Sequence, residues 1–263
     1  MAPEKKYTSQ LGAGLGMISE TLELLRLWEP GQTATQLADR AIDIGLFSRT
    51  TARRSRNLTI EMFAPRYLTD GGLPAARLKL LMDRGFPYEA LVQLFFMQTA
   101  RAHQIFADFV VDVYWAKYSA GASFLNKENA RSFISMALDG GIIQKRWSDR
   151  VVDNTSGYLI GCCIDFGLLA EGKKTERPIR RFSIRNDVAL YLAHDLHFAG
   201  FSDMGVVQHH DWRLFGLEVE DVIRLMKSLS HDGHLVIQSS GELVQVSWKY
   251  RSMEECLDAI TQR

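Results

Sequence analysis

Two groups of basic side chains are the residues of this 263-residue chain best suited to bind an anionic polymer. The first group occupies one short segment without acids and comprises Arg49, Arg53, Arg54 and Arg56. The second is interrupted only by Glu176 and comprises Lys173, Lys174, Arg177, Arg180, Arg181 and Arg185. Because guanidinium and ammonium groups neutralise phosphates, each group predicts contact with a nucleic-acid backbone. The alternative is that each group is a solvated protein face.

Histidines are the other residues that could do chemistry. Six of the seven lie between His194 and His234, as His194-x-x-His197, His209-His210 and His231-x-x-His234. Paired histidines can bind zinc, but H-E-x-x-H and Cys-x-x-Cys motifs do not accompany them. The chain also lacks G-x-S-x-G, G-x-G-x-x-G and Walker lysine motifs. We therefore predict no catalytic residue, metal ligand or cofactor, and we place the histidines at the surface or at helix ends. A metal-dependent enzyme is the alternative.

The composition is that of an ordinary soluble protein, with 46% apolar residues, 24% charged residues and a formal net charge of zero. Any anion-binding surface must therefore be local. Three unevenly spaced cysteines predict reduced thiols, and the N-terminus is too polar for a secretory signal. No segment offers the ~20 uncharged residues of a membrane span. We predict a cytoplasmic protein that does not bind a membrane.

The second basic group follows a predicted helix-turn-helix. A short helix from Asn126 to Leu138 and a Gly140-Gly141 turn precede a longer helix from Lys145 to Gly167. The start of that helix adds three cations to the candidate DNA-binding residues, Lys145, Arg146 and Arg150. An extended basic arm then runs from Arg177 to Ile184. This order is typical of a winged helix-turn-helix, which places its second helix in the DNA major groove. An αα-hairpin in a core is the alternative.

The first basic group begins another predicted helix. Thr33-x-x-Gln36 is a capping-box pattern, and it opens a helix that directs Leu37, Ala41 and Ile44 inward. A second helix, from Ser48 to Ala64, carries the arginines in its first turns. This arrangement predicts a second helix-turn-helix, with its cations where a recognition helix meets nucleic acid.

The remainder of the chain predicts a helical core and a C-terminal module. One buried helix spans Tyr88 to Ala120, and further helices begin at the capping residues Asn186 and Ser202. A helix with an acidic start, a hairpin over residues 235–248 and a helix capped by Ser252 complete a winged-helix-like module suited to protein contact. The fold class is therefore mainly α with small β-hairpins, a multi-helix bundle containing helix-turn-helix modules. We predict domains at residues 1–185 and 186–263.

Three segments carry a family resemblance. The opening YTSQLGAGLGMISETLELLRLW (Tyr7 to Trp28), together with SRTTARRSRN from Ser48 and FAPRYL from Phe63, resembles BrxA, a small component of bacterial BREX phage-defence systems. That family was first likened to the RNA-binding factor NusB. The resemblance implies a non-enzymatic DNA-binding accessory protein that works beside an adenine methyltransferase. It supplies no site residue.

The residues and the resemblance together predict a protein that binds duplex DNA and supports methylation and exclusion of phage DNA. Its expected partners are duplex DNA, the BREX methyltransferase and other BREX proteins, with no small-molecule substrate. An RNA-binding NusB-like module and a protein–protein adaptor are the alternatives.

Overall fold

The computed structural model describes residues 7–11, 16–48, 50–144, 146–173, 175–240 and 243–262. The described residues are mainly helical, with two antiparallel sheets of two strands each, which confirms the predicted mainly α class with small β elements. The helix-turn-helix modules stay a prediction. The chain divides into two compact units, residues 1–79 with 95–181 and residues 80–94 with 182–263. The domain boundary at residue 185 stays a prediction. No helix in the described ranges is long and apolar enough to cross a membrane.

The first unit begins with short helices: α1 (Ile18–Leu27), α2 (Ala34–Asp43), α3 (Ala52–Asn57), a π-helix (Leu58–Phe63) and α4 (Ala64–Tyr67). The predicted capping box is present, because the Thr33 side chain accepts from Gln36 N while the Gln36 side chain accepts from Thr33 N. Leu37 and Ala41 are buried, but the inward prediction for Ile44 is wrong, since it is 58% exposed. Helix α2 ends at Asp43, so Ile44 is a C-cap residue outside its apolar face.

The predicted single helix from Tyr88 to Ala120 is wrong, because the chain changes direction at His103. This segment instead forms α6 (Tyr88–Ala102), α7 (Gln104–Phe109), a π-helix (Val110–Tyr114) and α8 (Trp115–Ser119). A 3-10 turn (Asp70–Gly72) and α5 (Leu73–Asp83) precede it in the chain. Phe96, Phe106 and Phe166 are buried, and their ring centroids lie 5.7 to 6.0 Å apart. These aromatic side chains fill the core of the first unit, as the apolar sequence indicates.

Two polar contacts fix the N-terminal segment to this core. The Tyr7 hydroxyl donates to the buried Asp108 carboxylate at 2.7 Å, and Gly16 N donates to Asp165 Oδ2 at 2.8 Å. A Cβ at residue 16 would lie 2.6 Å from Asp165 Cβ, so only glycine permits this approach. The segment that carries the family resemblance is therefore bound to helices more than 90 residues away in sequence.

The candidate helix-turn-helix of the first unit comprises β1 (Phe124–Leu125), α9 (Lys127–Asp139), α10 (Asp149–Asp165) and β2 (Arg177–Pro178). Helix α10 begins four residues later than predicted, at Ser148–Asp149. Val152, Leu159 and Cys163 of α10 are buried, while Val151 and Tyr158 are only half-buried.

The second unit contains α11 (Asn186–Phe198), α12 (Asp203–Val207), a 3-10 helix (His210–Phe215), α13 (Val219–His231), β3 (Leu235–Ser240), β4 (Leu243–Trp248) and α14 (Met253–Thr261). The predicted hairpin is confirmed, with Ile237 opposite Val246 on the buried face. Ser202 and Ser252 cap their helices as predicted. Asn186 does not, because Arg185 occupies the N-cap position and makes no side-chain cap.

Candidate nucleic-acid interface

Ion pairs connect helices α9 and α10, between one acid on α10 and two cations on α9. Asp153 of α10 accepts from Lys127 Nζ at 2.7 Å and from Arg131 Nη1 at 2.9 Å. The hydrogen bond from Lys127, followed by its charge and the contact with Arg131, lowers the pKa of Asp153. Asn126 caps α9 and forms a capping box with Asn129. Lys127 and Arg131 were not among the predicted cations, although their i, i+4 spacing places them on one helix face.

A hairpin follows α10. Leu169 pairs with Ile179, Ala170 N donates to Pro178 O at 2.8 Å, and Lys173 pairs with Glu176 near its turn. The returning strand also binds β1, since Phe124 pairs with Pro178 in an antiparallel register. The sheet therefore joins the segment before α9 to the segment after α10, an arrangement that the sequence did not predict.

The predicted cations of this region that the structure describes occupy four places. Arg146 and Arg150 are exposed around the start of α10, and Lys173 is exposed beside the hairpin turn. Arg177 donates to Gly172 O at 2.6 Å within the hairpin. Arg180 and Arg181 are exposed beyond β2, whereas Lys145 and Lys174 lie outside the described residues.

The first arginine group lies on α3, whose N-terminus is capped by the Thr51 hydroxyl. Arg53 is exposed and Arg54 is half-buried, and Arg49 lies outside the described residues. Arg56 forms an ion pair with Asp39 of α2, in which the two side chains are 45% and 51% exposed. For Arg56, this exposed ion pair agrees with the alternative interpretation, that the arginine group is a solvated protein face and not a nucleic-acid contact.

Arg185, the last predicted cation, belongs to the second unit. Its guanidinium donates to both carboxylate oxygens of Asp187 at 2.9 to 3.2 Å, and this contact raises the pKa of Arg185. Its backbone N–H donates to Gln93 Oε1 at 3.0 Å. These bonds fix the start of α11, so Arg185 has a structural partner that its sequence pattern did not reveal.

An open cleft of about 790 Å³ lies at the turn between α9 and α10. Its lining includes Arg131, Arg146, Gln144 and the half-buried Trp147, with Val152 at the start of the buried face of α10. The cleft thus has two cations, two carboxylates (Asp139 and Asp149) and the Gln144 amide on its walls.

The surface prediction for the histidines is wrong for His194 and His234, which are buried. His194 donates from Nδ1 to Leu190 O at 2.9 Å, and its ring packs against Trp248 and Tyr250. Burial lowers the pKa of His194 to about 4. Elsewhere, possible ligand atoms of His209, His210 and Asp211 lie within 4.8 Å of one another. The absence of metal ligands stays a prediction.

Comparisons with known proteins agree with the helical architecture. The crystal structure of an uncharacterized protein from Magnetospirillum magneticum has the same fold, with a TM-score of 0.61 and 16% identity over 80% of this chain and 98% of that one. No curated protein matches the sequence. The family described as BrxA matches residues 5–195, which is most of the chain and includes α9, α10 and the hairpin of the first unit. The chain therefore belongs to the BrxA family, whose members are components of BREX phage-defence systems.

Proposed function

We propose that this BrxA-family protein is a non-enzymatic accessory component that binds duplex DNA and supports methylation and exclusion of phage DNA. The observation that carries the proposal is the arrangement of α9, α10 and the hairpin whose returning strand pairs with β1. A strand, two helices and a hairpin in this order are typical of a winged helix-turn-helix, and a helix-turn-helix inserts its second helix into the major groove.

In the proposed complex the exposed cations neutralise backbone phosphates. Arg146 and Arg150 at the start of α10 approach the groove edge, and Lys173 lies along the adjacent phosphates. Arg53, at the start of α3, adds a second contact from the helix pair α2 and α3. Arginine and lysine contacts of this kind read no sequence, so we expect binding with little base preference.

The test is a titration of the full-length protein with labelled duplex DNA at several salt concentrations. Each phosphate contact releases counterions, so log affinity should fall with log salt by about 0.9 per neutralised phosphate. Arg146→Ala with Arg150→Ala should weaken binding and make that slope shallower by up to about 1.8, which is about 0.9 for each of two lost phosphate contacts. The matched control is Lys227→Ala with Arg251→Ala, two exposed cations of the second unit. Salt-independent binding, or equal loss in both variants, would contradict the proposal.

The second unit supports a different role, contact with another BREX protein. Its α13 begins with Glu218, Glu220 and Asp221, which disfavour phosphate. Its hairpin exposes Val236 and Leu243 at 53% and 69%, and exposed apolar side chains favour protein contact. Val236→Ser with Leu243→Ser should then abolish co-elution with the methyltransferase while leaving duplex binding intact. Unchanged co-elution would remove this surface from the interface.

A further inference from the structure

Three partly exposed aromatic side chains lie on α8 and on the following strand β1 of the first unit. The Trp115 and Tyr118 ring centroids are 5.3 Å apart and nearly perpendicular, and both side chains are half-buried. Tyr118 is also nearly parallel to the buried Tyr114, with centroids 6.2 Å apart. Phe124, on β1, is 46% exposed. Rings held by their neighbours while part of their surface reaches solvent are suited to stack on planar ligands.

A hydrogen bond places the backbone of Arg180 next to the helix that carries these rings. The Tyr114 hydroxyl donates to Arg180 O at 2.7 Å, which fixes Arg180 beside the helix that carries Trp115 and Tyr118. Phe124 is directly opposite Pro178 in the sheet. Arg180 follows Pro178 by two residues, and both side chains are exposed. Arg180 and Arg181 therefore follow closely after the strand that pairs with Phe124.

The end of α8 completes the connection. Gly121 has φ +72°, and Ala122 N donates to Lys117 O at 3.0 Å, which turns the chain from α8 directly into β1. Ile179 N then donates to Ser123 O at 3.0 Å. The exposed Lys117 is therefore next to the same sheet edge, and the surface is defined by the residues Trp115, Lys117, Tyr118, Phe124, Arg180 and Arg181.

Charge complementarity points to an anionic occupant. The sequence has no acidic residue from Val113 to Lys127, and none from Arg177 to Asn186. The contacts above bring these two acid-free segments together, so the aromatic rings are accompanied by Lys117, Arg180 and Arg181, against one exposed carboxylate, Asp112, three residues before Trp115. Cations that follow a phosphate backbone beside rings that stack on bases are the features of a single-strand binding surface.

We propose that this surface binds single-stranded DNA, by stacking of unpaired bases on Tyr118, Phe124 and Trp115 and by pairing of phosphates with Lys117, Arg180 and Arg181. Paired bases cannot reach the rings, because their faces are covered by neighbouring base pairs. The site is thus distinct in chemistry from the duplex-binding helices. The choice of DNA rests on the proposed function.

The test measures the anisotropy of a labelled 15-residue oligo(dT), with the full-length protein and with a duplex measured in parallel. Tyr118→Ala with Phe124→Ala should weaken oligo(dT) binding by about 5-fold to 100-fold, the loss expected for base–aromatic stacking. Duplex affinity should change less than twofold. Tyr118→Phe keeps the ring and should retain oligo(dT) affinity. The control pair, Tyr88→Ala with Phe201→Ala, removes exposed aromatic rings from the second unit and should leave both affinities unchanged.

Unchanged oligo(dT) affinity in the Tyr118 and Phe124 double variant would overturn this proposal, provided that its thermal unfolding matches the parent protein. Tighter binding of oligo(rU) than of oligo(dT) would overturn the assignment to DNA. Failure of duplex binding with normal oligo(dT) binding would instead count against the duplex proposal, so the two failures are distinguishable.

Discussion

Arg53 and Arg56 carry the same charge on the same helix but have different surroundings. Arg53 is exposed near the start of α3, whereas Arg56 forms an ion pair with Asp39. An exposed ion pair of this kind contributes at most ~1 kcal/mol to stability. The pairing does reduce the positive charge that Arg56 offers to a phosphate, and this difference gives a test within a single helix.

We expect Arg53→Ala to weaken duplex binding and to make the dependence of log affinity on log salt shallower by about 0.9, the value for one lost phosphate contact. Arg56→Ala should have a smaller effect on affinity, because Asp39 partly neutralises it. Neither change should alter the melting temperature much. Met62→Ala in the adjoining π-helix should instead cost ~2–5 kcal/mol, since Met62 is only 6% exposed. Melting curves and duplex titrations check the set, and equal affinity of both arginine variants with the parent would remove α3 from the interface.

Gly72 offers a test of backbone strain and packing. Its φ is +86°, and a Cβ there would lie 2.7 Å from Cζ2 of the buried Trp28. Gly71 has φ +68°, and a Cβ at that residue would meet no atom within 4 Å, so Gly71 isolates the backbone effect. Both alanine variants should lose ~1–2 kcal/mol to the left-handed conformation. Gly72→Ala should lose a further ~1–3 kcal/mol from overpacking. Urea unfolding measures both, and equal losses would contradict the packing argument.

The hairpin after α10 is the element whose observed structure differs most in detail from the prediction. The predicted extended arm forms only the two-residue strand β2, and the pairings around it are the isolated ones at Leu169 and Lys173. A hairpin of this size is marginal on its own, so its pairing with β1 and the contact from Tyr114 are what stabilise it.

Replacing Lys173 and Lys174 by alanine should weaken duplex binding and leave the melting temperature nearly unchanged. Lys173 is exposed, and exposed polar substitutions usually change stability by less than ~0.5 kcal/mol. The control is Pro178→Gly in β2, which should loosen the sheet and lower stability. A large loss of stability with normal DNA affinity in the lysine variant would show that the hairpin turn is structural and not a DNA contact.

The stability of the whole second unit should depend on pH through His194. Its Nε2 has no hydrogen-bond partner among the described residues, while Nδ1 already donates to Leu190 O. Protonation at Nε2 would therefore place an unsatisfied N–H and a charge inside the core. Burial is the main cause of the lowered pKa of His194, and the nearby His197 and His234 oppose the charge further.

A histidine whose folded pKa is below its unfolded value contributes stability that is fully present above about pH 6.5. That stability should be lost as pH falls from 6.5 toward 4, the pKa in the folded chain, by on the order of 3 kcal/mol. His194→Phe should flatten this dependence, whereas His231→Phe, at an exposed position, should not. Urea unfolding between pH 4 and 7.5 is the measurement, and parallel curves for the parent and His194→Phe would contradict the assignment.

Local signals in the sequence were sufficient for most helices and for the C-terminal hairpin. Thr33 with Gln36, Ser202 and Ser252 each cap the helix they predict, because a cap depends on residues only two or three positions away. Alternation around Val244 and Val246 likewise specifies a strand with one buried face. The break at His103 was missed because the apolar pattern continues through it.

Long-range contacts determined what these patterns could not. The pairing of Phe124 with Pro178 spans more than 50 residues, and Arg56 meets Asp39 across a turn between two helices. His194 is buried because Trp248 and Tyr250 pack against it, and the apolar run from Val188 to Ala193 that precedes it is typical of a buried helix. Composition and periodicity encode which residues avoid water and which segments are helical. The partner of each charge or ring is set by packing between distant segments, which one local window of sequence does not contain.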